Sequence, residues 1–237
     1  MVDIHTHILP MVDDGAKTME DAMELLGMSW RDGIRELILT PHYRGRFKAD
    51  AHNIAEIFQQ LQEKAGERYP EMKLYLGNEI YYKEGVMAAL EAGRICSLHG
   101  SRYVLLEFDN VMLRNQILNG ISEAMRHGYT PIIAHLERYD LFQKDTELVE
   151  LVLDMGALIQ LNAASVLGRN GLRTKWFCNG LLKKGQVHFI ASDTHDPVHR
   201  IPLLGSCYQR IQRKYGQEMA QQIFYDHPHA VIADQML

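Results

Sequence analysis

Short apolar runs alternate with segments of helical periodicity along the whole chain, and no other feature restricts the possible folds as much. Seven of the runs have the length and residue types of β-strands. This alternation over 237 residues predicts parallel strands joined by right-handed crossovers. The predicted strands span residues 2–7, 36–42, 74–80, 103–108, 130–136, 157–162 and 187–193.

The segments between these strands have the signals of amphipathic helices. In the first segment, Thr18 is followed three residues later by Asp21, which is the spacing of a capping box. Apolar residues then recur with a period close to 3.6, so each helix has one face to bury. The predicted helices span residues 18–32, 50–69, 113–127, 146–155, 174–184 and 203–215.

The chain is expected to form one α/β domain over residues 1–237, because no linker interrupts the alternation. A closed or nearly closed barrel competes with an open doubly wound sheet. The two differ in where chemistry is placed: a barrel collects functional residues at the ends of many strands, whereas an open sheet uses one switch point.

Charge and composition argue against several classes of function. The net charge is −5 and the 25 Lys and Arg residues form no run, so neither a nucleic-acid surface nor an anionic-membrane surface is indicated. No apolar stretch approaches the ~20 residues of a membrane helix, and a strand predicted from residue 2 leaves no room for a signal peptide. Three cysteines without a CxxC pair suit a reducing compartment. We therefore expect a cytoplasmic protein.

Potential metal ligands stand at the carboxyl ends of six of the seven predicted strands. His5 and His7 alternate along the first strand, so both side chains face the same side and can bind one ion. Separate structural roles for all of these residues would require many buried polar groups, each with its own partner. A metal site is therefore predicted from His5, His7, His42, Glu79, Glu107, His135, Asp193 and His195.

A ninth candidate, Asp14, lies in the loop after the first strand. An Asx turn formed by Asp13-Asp14-Gly15 explains this loop equally well. Nitrogen and carboxylate ligands without thiolate suit Mn²⁺, Zn²⁺ or Fe²⁺ in a hydrolytic site. Nine ligands are too many for one ion, so we expect two or three ions with a bridging carboxylate. The remaining histidines are interpreted as surface or capping residues.

Two arginines and two cysteines bear on the chemistry of the site. Arg138 and Arg200 follow strand-end histidines closely, so they can bind phosphate oxygens, although a surface ion pair would explain either of them alone. Cys96 and Cys207 begin CX5R sequences like those of thiol phosphatases. Neither lies between a strand and a helix N-terminus, where a nucleophilic thiolate is stabilised, so cysteine catalysis is not expected.

Six motifs in order make the chain similar to the PHP (polymerase and histidinol phosphatase) superfamily, and above all to its bacterial CpsB/CapC-type tyrosine-protein phosphatases. Single motifs are weak, but the ordered set is specific and extends over nearly the whole chain. Glu107 matches this phosphatase type, whereas many histidinol phosphatases have His there. The motifs are DIHTHILPMVDDGA, TPHY, GNEIYY, LLEF, AHLERY and SDTHDP.

The resemblance implies a distorted (β/α)7 TIM-like barrel with three divalent ions, usually Mn²⁺, although Fe, Zn or Mg would also suit the ligands. It implies that Arg138 and Arg200 bind phosphate while a metal-activated hydroxide attacks phosphotyrosine. The implied substrate is the Tyr-rich tail of a bacterial tyrosine kinase that controls capsule or exopolysaccharide synthesis. By position, one ion would be bound by His5, His7, Glu79 and Asp193, a second by Glu79, Glu107 and His135, and a third by Asp14, His42 and His195.

Other functions are compatible with the same residues. A histidinol-phosphate phosphatase or another barrel metallohydrolase would use a similar site. A non-catalytic regulator would bind a phosphopeptide without releasing phosphate, but the complete ligand set argues against a degenerate enzyme. The sequence leaves the oligomeric state, the cognate kinase and the general acid open.

Overall fold

Strands and helices alternate in the computed structural model, which describes residues 1–44 and 51–237, without the side chains of residues 51 and 52. Every pair of adjacent strands in the described part is parallel, as the alternation predicts. The strands are Val2–Thr6 (β1), Glu36–Leu39 (β2), His42–Tyr43 (β3), Lys73–Leu76 (β4), Glu79–Tyr81 (β5), Tyr103–Glu107 (β6), Thr130–Ile133 (β7), Leu158–Asn162 (β8) and Phe189–Ala191 (β9).

The predicted helices are present, with ends displaced by one or two residues, and position 50 of the second lies outside the described residues. The Thr18–Asp21 capping box is formed at the start of the first helix. Five further helices have only five or six residues, too few for a periodic pattern. The helices are Met19–Arg31 (α1), Ala51–Arg68 (α2), Met87–Glu91 (α3), Arg114–Arg126 (α4), Asp140–Lys144 (α5), Thr146–Asp154 (α6), Ala163–Leu167 (α7), Leu172–Lys183 (α8), Leu204–Tyr215 (α9), Gln217–Gln221 (α10) and His227–Ile232 (α11).

The strands form a curled parallel sheet whose first and last strands meet. Three strands pair in the order β1-β2-β4, and six pair in the order β3-β5-β6-β7-β8-β9. After the end of β9, Asp193 N–H donates to His5 O at 3.0 Å, and His7 N–H donates to Thr194 O at 2.8 Å. These bonds bring the carboxyl ends of β1 and β9 together.

Two of the predicted strands are interrupted, so the expectation of seven continuous strands was wrong at these positions. The segment 36–42 is divided into β2 and β3 at Thr40-Pro41, and the segment 74–80 is divided into β4 and β5 at Gly77-Asn78. Proline has no N–H for a ladder hydrogen bond. Asn78 joins the two breaks, because its Nδ2 donates to Pro41 O at 2.9 Å. Its Oδ1 accepts from Cys96 N at 2.9 Å and connects the second break to the loop before β6.

Two apolar clusters surround this sheet. The larger one contains most of the buried helix faces and the strand side chains that pack against them. The smaller one joins side chains from strands that are not neighbours, such as Ile4 of β1 and Leu105 of β6, so it fills the space that the curled sheet encloses. At the amino ends of the strands, Arg102 and Tyr103 bind the segment after α11 through Asp234 and Gln235. No helix in the described part of the chain is long and apolar enough to cross a membrane.

His188 is partly buried just before β9, where the sequence analysis expected a surface or capping residue. Its Nδ1 accepts a hydrogen bond from Ile159 N at 3.1 Å, and its backbone carbonyl accepts one from His227 Nδ1 at 2.9 Å. Burial, together with the neighbouring His227, lowers the pKa of His188 to about 4. The folded state therefore requires a neutral imidazole at this position.

We predict that His188 makes unfolding easier in acid. Its pKa is lower in the folded state than in the unfolded state, so its stabilising effect is complete above about pH 6.5 and is lost as pH falls towards 4. Between pH 7 and 4.5 the His188→Asn protein should lose about 2–3 kcal/mol less unfolding free energy than the unsubstituted protein. Urea unfolding at both pH values measures this. The control His99→Asn keeps a residue that tolerates the observed φ of 55° and should behave like the unsubstituted protein.

Candidate metal centre

All nine predicted ligand residues lie at the carboxyl edge of the sheet. Eight of them form three groups in which the ligand atoms lie within 4.8 Å of one another. The ninth, His135, places Nε2 2.8 Å from Glu79 Oε1 and 3.9 Å from Glu107 Oε1. The three groups are His7, Asp14, His42 and His195; His5, His7 and Asp193; and His42, Glu79 and Glu107.

Glu79 occupies the middle of this cluster and is fully buried. Its Oε1 lies 2.8 Å from His135 Nε2 and 3.4 Å from His5 Nε2. Its Oε2 lies 2.7 Å from His42 Nδ1 and 3.3 Å from His7 Nε2. Burial alone would raise the pKa of Glu79, but the charges of His5 and His42 outweigh burial and hold it well below its ordinary value. The carboxylate stays ionised and contacts all four imidazoles, as a bridging ligand must.

Two ligands depend on backbone conformations that most residues avoid. Asp193 has φ of 54° and His135 has φ of 34°. A left-handed conformation costs a residue with a Cβ on the order of 1–2 kcal/mol. At Asp193 this turn places Oδ1 3.5 Å from both His5 Nε2 and His7 Nε2. The conformational cost thus arises at residues whose side chains point into the ligand cluster.

The hydrogen bonds of the histidines show that the cluster fits divalent ions. Gln160 Oε1 accepts from His135 N, a certain donor, so it must also accept from His5 Nδ1 at 3.0 Å. Asp13 Oδ2 accepts from His7 Nδ1 at 2.7 Å. The Nε2 atoms of the two rings lie 3.2 Å apart and point into the same space. The carboxylates of Asp13 and Glu79 outweigh burial and raise the pKa of His7 to about 10, so a proton and a divalent ion compete for this position.

His195 follows the same rule. Its Nδ1 donates to the carbonyl of Asp193 at 3.0 Å, which leaves the Nε2 lone pair facing Asp14 Oδ1 at 3.5 Å. This buried Nε2 accepts no hydrogen bond from any described group. His195 Nε2 and Asp14 Oδ1 face each other, so they can supply two ligand atoms to one ion. The donor set of nitrogen and oxygen atoms is one that Mn²⁺, Fe²⁺ and Zn²⁺ accept.

Three residues that support the ligands escaped the sequence analysis. Asp13 binds His7 Nδ1, His42 N and Gly15 N, so it both forms the predicted Asx turn and orients a ligand. Gln160 orients His5. Arg44 places Nη1 3.1 Å from both oxygens of Glu107. Only Asp13 carried a signal, since it lies beside Asp14 in a loop already interpreted as a turn.

Arg138 and Arg200 lie together at the rim of the centre, as predicted. Both guanidinium groups contact Oδ2 of Asp193, Arg138 at 3.4 Å and Arg200 more closely. Asn162 Nδ2 donates to the same oxygen at 2.7 Å. The charges of His5 and Arg200 outweigh burial and lower the pKa of Asp193. Both arginines line a cavity of about 640 Å³ that opens beside the centre.

The cysteines lie away from this centre. Cys178 and Cys207 are buried within α8 and α9, and burial raises the pKa of both thiols. Cys96 precedes a 3₁₀ turn and β6, and its pKa is also raised by burial. A nucleophilic cysteine needs a lowered pKa. The positions of these thiols and their raised pKa values agree with the expectation that cysteine is not the nucleophile.

Comparison with known proteins gives consistent matches over the full chain. The family model "Capsular polysaccharide synthesis, CpsB/CapC" matches residues 1–233. Tyrosine-protein phosphatase CpsB of Streptococcus pneumoniae is 37% identical over 243 residues, which cover 100% of both chains. Tyrosine-protein phosphatase YwqE of Bacillus subtilis is 30% identical over 92% of this chain and 87% of its own. A crystal structure from a study of YwqE and CpsB as metal-dependent tyrosine phosphatases superposes with a TM-score of 0.94, at 27% identity, over 100% of this chain and 96% of that one.

We predict that Asp13→Asn weakens metal binding. The substitution removes the carboxylate that fixes the ring of His7, and losing such an outer partner lowers metal affinity about 10–100-fold. Calorimetric titration of the purified protein with Mn²⁺ measures this. The exposed Asp154→Asn variant has the same change of charge and should bind Mn²⁺ like the unsubstituted protein. Equal affinity of all three proteins would contradict the role given to Asp13.

Proposed function

This chain belongs to the CpsB/CapC family, and from that membership we propose that it is a metal-dependent protein-tyrosine phosphatase. The observation that carries the proposal is the position of Asp193. One of its oxygens faces the imidazoles of His5 and His7, and the other contacts Arg138 and Arg200. A phosphate placed against the two arginines would therefore lie directly beside the ligand cluster.

We propose three divalent ions, with Mn²⁺ as the metal, held by the nine residues described above. Two of the ligand sets expected from the family agree with the distances, with His5, His7 and Asp193 in one and Asp14, His42 and His195 in another. In the described groups His42 stands with Glu79 and Glu107, where the family pattern has His135. Because His135 Nε2 is also 2.8 Å from Glu79, we keep His135 as the ligand of this set.

Different residues of the chain would bind the metal ions, bind the phosphate and orient the ligand imidazoles. Bound divalent ions would supply Lewis acidity and would lower the pKa of a water molecule to near neutrality. Arg138 and Arg200 bind and orient the phosphate and offset the charge that develops on its oxygens. Gln160, Asp13 and the carbonyl of Asp193 hold the ligand imidazoles in one tautomer. A tyrosyl oxygen has a pKa of about 10, so it leaves without needing a strong general acid.

We also propose the setting of the reaction. The substrate would be a phosphotyrosine protein, the Tyr-rich tail of a cytoplasmic tyrosine kinase that controls capsule or exopolysaccharide synthesis. The fold would be a distorted (β/α)7 barrel of one domain over residues 1–237. In that interpretation β2 with β3, and β4 with β5, are two barrel strands that break near their carboxyl ends. Family membership and the meeting of β1 with β9 support this proposal.

Phosphate release tests the proposal. The protein is chelated, reloaded with Mn²⁺ and offered a tyrosine-phosphorylated peptide or histidinol phosphate, with and without iodoacetamide. We expect turnover of the peptide that requires metal and is unaffected by the alkylating agent. Turnover of histidinol phosphate alone would indicate a histidinol-phosphate phosphatase, which is a metabolic enzyme. Metal binding without any turnover would support a phosphopeptide-binding regulator instead.

Arg138→Ala should reduce kcat/KM for the phosphotyrosine peptide by about a hundredfold or more, because a charged donor to the phosphate is lost. Its Mn²⁺ content should be unchanged, since Arg138 contacts Oδ2 of Asp193 and not the Oδ1 that faces the imidazoles. Steady-state kinetics and metal analysis of the same sample measure both. Arg213→Ala, an exposed position on α9, is the matched control. Unchanged kinetics of the Arg138 variant would contradict its role.

A further inference from the structure

The cavity beside the metal centre extends well beyond the two arginines at its inner end. Its volume of about 640 Å³ lies within the range of about 300–1,000 Å³ that ligand pockets occupy. Asp193, Arg138 and Arg200 line it beside the ligand cluster and are called its inner end here, and the exposed Arg169 before α8, with Thr174 in the first turn of α8, is called its outer wall. The cavity therefore connects the phosphate position to a second group of side chains.

Arg169 is the basic residue of this outer wall, and its backbone is held in place. It follows Gly168, whose φ of 93° ends α7 in the left-handed conformation. Arg169 N donates to Ala164 O at 2.9 Å, and Asn170 Nδ2 donates to Ser165 Oγ at 2.9 Å. The loop is thus fixed on the α7 helix, and the Arg169 side chain projects from a defined position.

Arg169 differs from the inner arginines in its pairing. Arg138 and Arg200 both contact Asp193, whereas Arg169 makes no ion pair with any residue in the described ranges. The other acids along the cavity are engaged or buried. Asp140 pairs with Lys144 at 3.0 Å, and Glu137 is fully buried and accepts a hydrogen bond from Asn162 N.

The surroundings of Arg169 reinforce its charge. Arg173 and Lys175 follow it at the start of α8, and the Lys175 side chain packs beside Gly168. Arg169, Arg173 and Lys175 lie within seven positions of the sequence. A negatively charged group beside a phosphate held by Arg138 and Arg200 would face Arg169 across the same cavity.

We propose that this outer end is a second anion subsite, in which Arg169 binds an acidic group next to the phosphotyrosine of the substrate. The proposal rests on the proposed function, because binding of phosphotyrosine at the inner end determines which substrate residue lies beside Arg169. Arg169 is then a specificity-determining residue. Its ligand is either the carboxylate of a neighbouring Asp or Glu or a second phosphate, since both offer paired oxygens to a guanidinium group.

Binding of non-hydrolysable peptides tests the subsite separately from turnover. Three peptides carry phosphonodifluoromethyl-phenylalanine in place of phosphotyrosine, flanked by alanine, by glutamate or by a second copy of the same analogue. Fluorescence anisotropy gives the Kd of each for the Mn²⁺-loaded protein and for Arg169→Gln, Arg169→Lys and the control Arg213→Gln. Hydrolysis of free phosphotyrosine, which lacks flanking residues, is measured in parallel.

We expect the unsubstituted protein to bind the two acidic peptides about fivefold to tenfold more tightly than the alanine peptide. Arg169→Gln should abolish this preference while leaving the alanine peptide and free phosphotyrosine unchanged, and Arg169→Lys should retain part of it. A larger loss for the doubly substituted peptide would identify phosphate as the ligand, and an equal loss would identify carboxylate. Raising the salt concentration should weaken the preference.

Two results would overturn the subsite: equal binding of all three peptides by the unsubstituted protein, or an undiminished preference in Arg169→Gln. Equal weakening of every peptide in that variant would also overturn it, since Arg169 would then act on the structure or on the phosphotyrosine. A preference for acidic peptides without any phosphate release would leave the subsite standing and refute the phosphatase. Phosphate release without a preference for acidic peptides would support the phosphatase and refute the subsite.

Discussion

The parallel contact between β1 and β9 is the interaction on which the metal centre depends. Two backbone hydrogen bonds, from Asp193 N to His5 O and from His7 N to Thr194 O, join the two ends of the chain's strand sequence. Without them, Asp193 would not reach the imidazoles of β1, although the remaining ligands would still share an edge. The sheet curls because its first and last strands pair, and the curl converts a row of strand ends into an enclosed cluster.

Within that cluster, hydrogen bonds and ligand positions have separate roles. Each of three histidines gives its Nδ1 proton to an oxygen outside the cluster, from Gln160, Asp13 or the backbone of Asp193. This directs three Nε2 atoms at the carboxylates of Glu79, Asp193 and Asp14. Positive charge among these groups, from protons on the rings or from divalent ions, offsets the repulsion between the carboxylates. The ring orientation that suits metal binding therefore comes from hydrogen-bond partners that lie outside the ligand set.

Much of this arrangement could be predicted from the sequence, because parallel strands bring their carboxyl ends to one edge. That rule predicted the nine ligand residues of the cluster and the two arginines beside it, Arg138 and Arg200. It could not find Gln160 or Arg44, since each reaches its partner only through the curvature of the sheet. It also missed the breaks at Thr40-Pro41 and Gly77-Asn78, because an apolar run does not show where a strand changes neighbours. The positions of the CX5R cysteines could be predicted, because Cys207 belongs to the apolar face of a helix and the loop of Cys96 leads into a strand.

The breaks in the second and third predicted strands separate β2 and β4 from β3 and β5, which begin with the ligands His42 and Glu79. The segments before the breaks, β2 and β4, belong to the sheet β1-β2-β4, whereas β3 pairs with β5 in the six-stranded sheet. His42 is thus carried by a two-residue strand, whereas His5 lies within the five-residue β1. Segments that pair in different sheets can open separately, at a lower free energy than global unfolding. In amide hydrogen exchange, the two halves of one predicted strand would therefore report on different parts of the sheet, β2 together with β1 and β3 together with β5.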